Sequence, residues 1–194
     1  MGLEPSDREA VNDRQAGLPW QGRAANWALI LAGVFFGLLV LAVAYRFGPT
    51  THGLVALPTA IVLALGAITD IKRKTIPDYL TLTGLAWILA ASLYLGLPRA
   101  VEALIGALAC GGALLILAML RRGSIGGGDV KLMAVIGAAL GWRWGFGALM
   151  FAQLAAALVA ACLLVTRRKR RKDGLPFGPF LSTFAILATL VKPL

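Results

Sequence analysis

Residues 53–78 read GLVALPTAIVLALGAITDIKRKTIPD. Gly53 to Thr69 is an almost wholly apolar run, closed by Asp70 and then by the cations Lys72, Arg73 and Lys74. Such a run, ending in positive charge, predicts a membrane-spanning helix whose last turn meets the interface. An aspartate is costly there: a carboxylate at membrane depth costs at least ~2.5 kcal/mol on insertion scales, which makes it a functional hypothesis by default. Asp129 repeats the pattern, following Gly126-Gly127-Gly128 and leading into another apolar run. Two such acids predict a catalytic pair.

The rest of the chain agrees with a membrane setting. Of its 194 residues 59% are hydrophobic and only 14% charged, a composition that excludes an ordinary soluble domain. With ~20 residues needed to cross a bilayer, we expect an all-α, polytopic transmembrane bundle of about seven helices. Four spans are clear in the sequence: Trp27 to Phe47, Tyr79 to Leu97, Ala100 to Leu120 and Gly145 to Val165. Three are shorter: Gly53 to Asp70, Asp129 to Gly141 and Pro176 to Val191. Residues 1–26 are polar, mixed in charge and broken by Pro5 and Pro19, which predicts a mobile tail with no cleavable signal. The net charge of +10 resides between apolar spans rather than on an amphipathic face, so it points to topology and not to nucleic acid. Cys110 and Cys162, each inside an apolar run, read as small packing residues.

The cations also orient the chain. With the N-terminus cytoplasmic, the inside segments hold Arg8, Arg14, Arg23, Lys72, Arg73, Lys74, Arg121, Arg122, Lys131 and the run Arg167 to Lys172. Only Arg46, Arg99, Arg143 and Lys192 fall outside. The positive-inside rule then places the N-terminus in, the C-terminus out, and both Asp70 and Asp129 toward the cytoplasm. If Trp142 and Trp144 mark the outer interface, Asp129 lies ~20 Å below it at 1.5 Å per residue, several Å inside a ~30 Å hydrocarbon core. Irregular glycine backbone at that depth requires a protein-buried or water-filled cleft.

Each feature has a plainer reading. Asp129 could simply cap the following helix, and Asp70 could end its own beside Lys72 and Arg73. The topology, however, brings both acids independently to one face at similar depth. Thr75-Ile76-Pro77-Asp78 has the form of a helix start, with a threonine cap, a first-turn proline and an acid three residues after the cap; the rival role for Asp78 is a third carboxylate at the cleft mouth. Leu175-Pro176-Phe177-Gly178-Pro179-Phe180 is either a loop entry or a broken segment shaping the cleft. The Arg167 to Lys172 run is a topology anchor and secondarily a site for anionic lipid. Gly33-x-x-x-Gly37 and Gly137-x-x-x-Gly141 are candidate close-packing faces. His52 and Glu102 lie near the outer boundary, away from the acids. One histidine in the chain gives no His-based metal site, and no cofactor is called for.

Taken together, Asp70-x5-Ile76-Pro77, Gly126-Gly127-Gly128-Asp129-Val130-Lys131-Leu132 and Pro176-Phe177-Gly178-Pro179-Phe180 resemble the prepilin peptidases, the type IV leader peptidases among GxGD intramembrane aspartyl proteases. The resemblance runs from about Gly53 to the C-terminus. It implies a six-helix peptidase domain over 53–194, preceded by one extra helix and loop at 27–52. It further implies Asp70 and Asp129 as catalytic residues, with Gly126, Gly127, Gly128, Lys131, Ile76, Pro77, Asp78, Pro176, Phe177, Gly178 and Pro179 around the substrate cleft. The implied reaction is cleavage of short basic leaders from pilin-like precursors at the cytoplasmic face of the plasma membrane, without metal. Two departures stand out. Asp78 occupies a place where the family usually has asparagine, and the cysteine-rich cytoplasmic domain of the larger bifunctional members has no counterpart, which counts against methyltransferase activity. The compact form looks like the peptidases of Flp/Tad-type systems. Competing readings are a GxGD protease with other substrates, a non-catalytic component of a pilus or secretion assembly, and a transporter using its acids as a proton relay.

Overall fold

A computed structural model describes residues 19–120, 126–166 and 176–192. The expectations for residues 1–18, for Arg121 and Arg122, and for the Arg167 to Lys172 run fall outside the described residues. The described chain forms α1 (Pro19–Phe47), α2 (Gly53–Arg73), α3 (Asp78–Tyr94), α4 (Leu97–Leu120), α5 (Gly127–Val165) and α6 (Gly178–Val191). Four of these, α1 from Asn26, α2, α4, and α5 as far as Cys162, are long and apolar enough to cross a membrane.

These helices differ from the expected spans in two places, and six elements stand for seven spans because two of the spans adjoin without a loop. The span expected over Tyr79 to Leu97 is the 17-residue α3, only ~25 Å long at 1.5 Å per residue; the chain leaves it through Gly96 at φ +122°. The first helix starts at Pro19, ahead of Trp27. The spans expected at 129–141 and 145–165 are both present, as two helices that meet directly at a kink at Gly141 and are taken together as α5.

A straight helix of 39 residues would be about 58 Å long, roughly twice the hydrocarbon core. Instead α5 turns back on itself. Gly141 has φ 77° and ψ 167°, open to glycine and strained for other residues. A Cβ at Gly145 would lie 3.5 Å from the Gly137 Cα, whereas eight residues of straight helix would hold them ~12 Å apart. The result is a first arm, 127–140, and an antiparallel second arm, 142–165.

Helix α4 lies against α5 in the most extensive pairing of the fold. The contact is close because Gly106 and Gly137 have no side chains: a Cβ on either would overlap the other's carbonyl. Lipid tails are as apolar as leucine, so helices in a bilayer associate through such close packing more than through hydrophobic burial. Gly33 and Gly37, by contrast, have open space before them, so that pair is not a packing face within the chain. The two cysteines also part company, since Cys110 is buried while Cys162 is exposed.

The first arm occupies the centre. Leu132, Met133 and Ile136 are fully buried with Leu63 of α2 and with Leu181 and Ile186 of α6. Phe36, Val43 and Phe47 join α1 to the same core. Leu31, Leu38, Leu108, Met150 and Leu158 face outward, as suits a lipid environment. Two buried threonines turn to their own helices: Thr59 donates to the Val55 carbonyl at 2.6 Å and Thr189 to that of Ala185 at 2.9 Å, which satisfies them where no water competes.

Candidate active site

Asp70 sits one turn from the end of α2 and is only 7% exposed. Its backbone carbonyl accepts the Lys74 N–H at 2.8 Å, where Lys74 takes a left-handed conformation and ends the helix. Its side-chain Oδ2 accepts the Gly178 N–H at 2.9 Å. Gly178 opens α6, with proline in the first turn, where the ring's missing N–H would have been unpaired anyway. The Gly178 N–H is one of the orphan donors at a helix start, and the helix dipole there favours a carboxylate. The contact leaves no room for a side chain: a Cβ at Gly178 would stand 2.8 Å from Oδ2 and 3.0 Å from Cβ of Asp70. The open choice for Pro176 to Phe180 is thus resolved as a helix start pressed against Asp70, with Phe177 and Phe180 packed on the main core.

Asp129 lies in the first turn of α5, half-buried. The amide N–H groups of Asp129 and Val130 donate to the Gly126 carbonyl at 3.1 and 3.4 Å. Asp70, near the end of α2, and Asp129, at the start of α5, lie at the same end of the bundle. What joins the two helices here is Ile76, 7% exposed. A Cβ at Gly128 would lie 3.0 Å from the Ile76 Cβ, and one at Gly66 of α2 would lie 3.4 Å from Leu132 of α5. The middle glycine of the three, Gly127, has open space instead, so close approach explains Gly128 and not Gly127.

The Thr75 cap expected from sequence does not form. Pro77, in extended conformation with ψ 134°, occupies the cap position of α3 without a side-chain hydrogen bond, and Asp78 begins the helix. Threonine three residues ahead of the first helical residue is out of reach of the first-turn N–H groups it would need to accept. Asp78 pairs instead with Lys131, Oδ1 to Nζ at 2.6 Å, with the Asp78 side chain mostly and the Lys131 side chain partly open to solvent. This pairing of two singled-out residues was not visible in their sequence separation. No three His, Cys, Asp or Glu side chains converge on a metal-sized space among the described residues.

Residues 57–164 match the type IV leader peptidase family. The chain is 35% identical over 152 residues to a prepilin leader peptidase/N-methyltransferase of Bacillus subtilis, covering 78% of this chain and 61% of that protein. Proteins of the same name from Pseudomonas putida and Legionella pneumophila are 32% and 33% identical, over 82% and 78% of this chain and 57% and 54% of their own lengths. The chain thus spans little more than half the length of these relatives. No solved structure matches it significantly. With four helices able to cross a bilayer and this similarity, it is an integral membrane protein.

Proposed function

Because the chain belongs to the type IV leader peptidase family, we propose that it is a membrane-embedded aspartyl endopeptidase that removes short basic leaders from type IV pilin-like precursors, with Asp70 and Asp129 as its catalytic pair. The observation that carries this reading is that two acids 59 positions apart in sequence lie at one end of the bundle, with Asp70 held by the Gly178 N–H. Neighbouring carboxylates do not readily both ionise, so the pair shares a proton. The ionised member takes a proton from a water, which attacks the scissile carbonyl; the protonated member polarises that carbonyl and then protonates the leaving amine. Gly178 is a positioning residue. Gly126 and Gly127, exposed at the start of α5, leave backbone open to a substrate strand, and Asp78 with Lys131 forms a charged rim beside it.

The cleft faces the cytoplasm in this reading, with the cations of Lys72, Arg73 and Lys74 at the same end and the reversal at Gly141 at the other. The substrates extend to Flp/Tad-type precursors. Co-expression with a pilin-like precursor, followed by mass spectrometry of the product N-terminus, tests the assignment. We expect a new N-terminus with the native chain and none with Asp70→Asn or Asp129→Asn, both of which should still insert and fold because an amide is nearly isosteric with the acid. Substantial cleavage by either variant, with background peptidases controlled, would sink the aspartyl mechanism.

A further inference from the structure

At the end of the bundle away from Asp70 and Asp129 the helix ends enclose a cavity of about 460 Å³, lined by residues from α1, α2, α4, α5 and α6 and the turns between them. Its walls are mixed: Phe47, Val55 and Leu95 are apolar, while Arg99, Glu102 and Lys192 bring charge. The two cations are held in place by the reversal of α5. The first arm ends at Leu140, so its last carbonyls have no helical partner. Arg99 donates to the Ala139 carbonyl at 2.7 Å, and Lys192 Nζ to that of Leu140 at 3.0 Å.

Carbonyls satisfy donors without cancelling charge. Arg99 has one carboxylate partner, Glu102, at 2.8 Å, and Lys192 has no carboxylate within ion-pair distance among the described residues. Burial holds the Lys192 ammonium below its ordinary range, and the Arg99 charge pushes the same way while Glu102 opposes both. The cavity therefore keeps an excess positive charge in a partly desolvated place. Lysine has three donors and arginine five, so each cation keeps donors beyond those spent on the carbonyls. The start of α2 also faces this end with no acid in its first turn, although Thr50 accepts the Gly53 N–H there.

We infer that this cavity is a binding site for a phosphate-bearing anion, held between Arg99 and Lys192 with its apolar part against Phe47 and Leu95. A phospholipid headgroup and free phosphate share that chemistry. The site is independent of the peptidase reading, because none of its residues approaches the two aspartates.

The test uses the whole protein purified in neutral detergent, with retention of phosphatidylglycerol and of phosphatidylcholine counted by native mass spectrometry. The native chain should prefer phosphatidylglycerol, and Arg99→Gln and Lys192→Gln should each weaken that preference about tenfold, the scale of one charge-assisted hydrogen bond. Comparison among variants separates this site from the Arg167 to Lys172 run, which is common to all. Displacement of the lipid by millimolar inorganic phosphate would identify the bare phosphate as the recognised group; resistance to displacement would identify the lipid. Since the cation variants also uncap the first arm of α5, Glu102→Gln serves as the variant that removes no cap. It frees Arg99 of its carboxylate and should tighten phosphatidylglycerol binding. Unchanged retention in Glu102→Gln, or in both cation variants when folded, would overturn the site.

Discussion

A single methyl group separates glycine from alanine at position 178, and the Asp70 carboxylate already fills the space it would need. Gly178→Ala must either push Asp70 aside or tilt the start of α6, and in both cases the hydrogen bond to Oδ2 is lost or bent. We expect kcat to fall roughly tenfold to a hundredfold, the range set by displacements near 1 Å at a reacting group, with KM little changed because the glycine touches the acid rather than the substrate. An equal loss in KM alone would assign Gly178 to substrate binding instead. Asp78 is the contrasting case. Its partner Lys131 and its own side chain are 42% and 65% exposed, and exposed ion pairs are worth at most about 1 kcal/mol. Asp78→Asn should therefore retain most peptidase activity and a near-native melting temperature; a loss as deep as that of Asp70→Asn would make it a third essential acid.

At the scale of elements, the reversal in α5 controls where Asp129 can lie. Gly141 combines φ 77° with a Cβ direction that ends 2.7 Å from the Glu102 Oε1. Gly141→Ala should destabilise the protein by about 1–3 kcal/mol through backbone strain, read as a lower melting temperature in detergent. Adding Glu102→Ala should recover only the steric part, leaving the strain. Full recovery in the double variant would show that the glycine is needed for space and not for its conformation. The Ile76 wedge belongs to this scale as well, since the segment between α2 and α3 is what spaces the aspartate of α2 from the first turn of α5.

For the whole molecule, the two ends of the bundle are chemically distinct: Asp70 and Asp129 lie where α2 ends and α5 and α6 begin, and Arg99 and Lys192 line a cavity where α5 reverses. The orientation we propose from loop charge puts the two aspartates on the cytoplasmic side. In a background carrying Cys110→Ala and Cys162→Ala, Asp70→Cys with Asp129→Cys should crosslink and should react with a polar thiol reagent only from the cytoplasmic side. Labelling from the outside alone would invert the topology. Much of this architecture was legible in the chain itself. Apolar runs of bilayer length disclosed the membrane class, because no other environment accepts them, and the rarity of carboxylates within such runs singled out Asp70 and Asp129. The distribution of cations proposed an orientation from local charge. Contacts between distant segments were another matter. Whether Pro176 to Phe180 was a loop entry or a broken segment, whether Thr75 capped the helix that Asp78 begins, which partner Asp78 takes, and whether the chain reverses at Gly141 all depend on what packs beside them. Sequence determined the membrane setting and singled out two acids as candidates, because both readings follow from transfer energies of single residues and runs. Only the tertiary structure decided which backbone N–H holds Asp70 and which cations close the end of the first arm, because a hydrogen bond between residues 108 positions apart is specified by packing and by no local pattern.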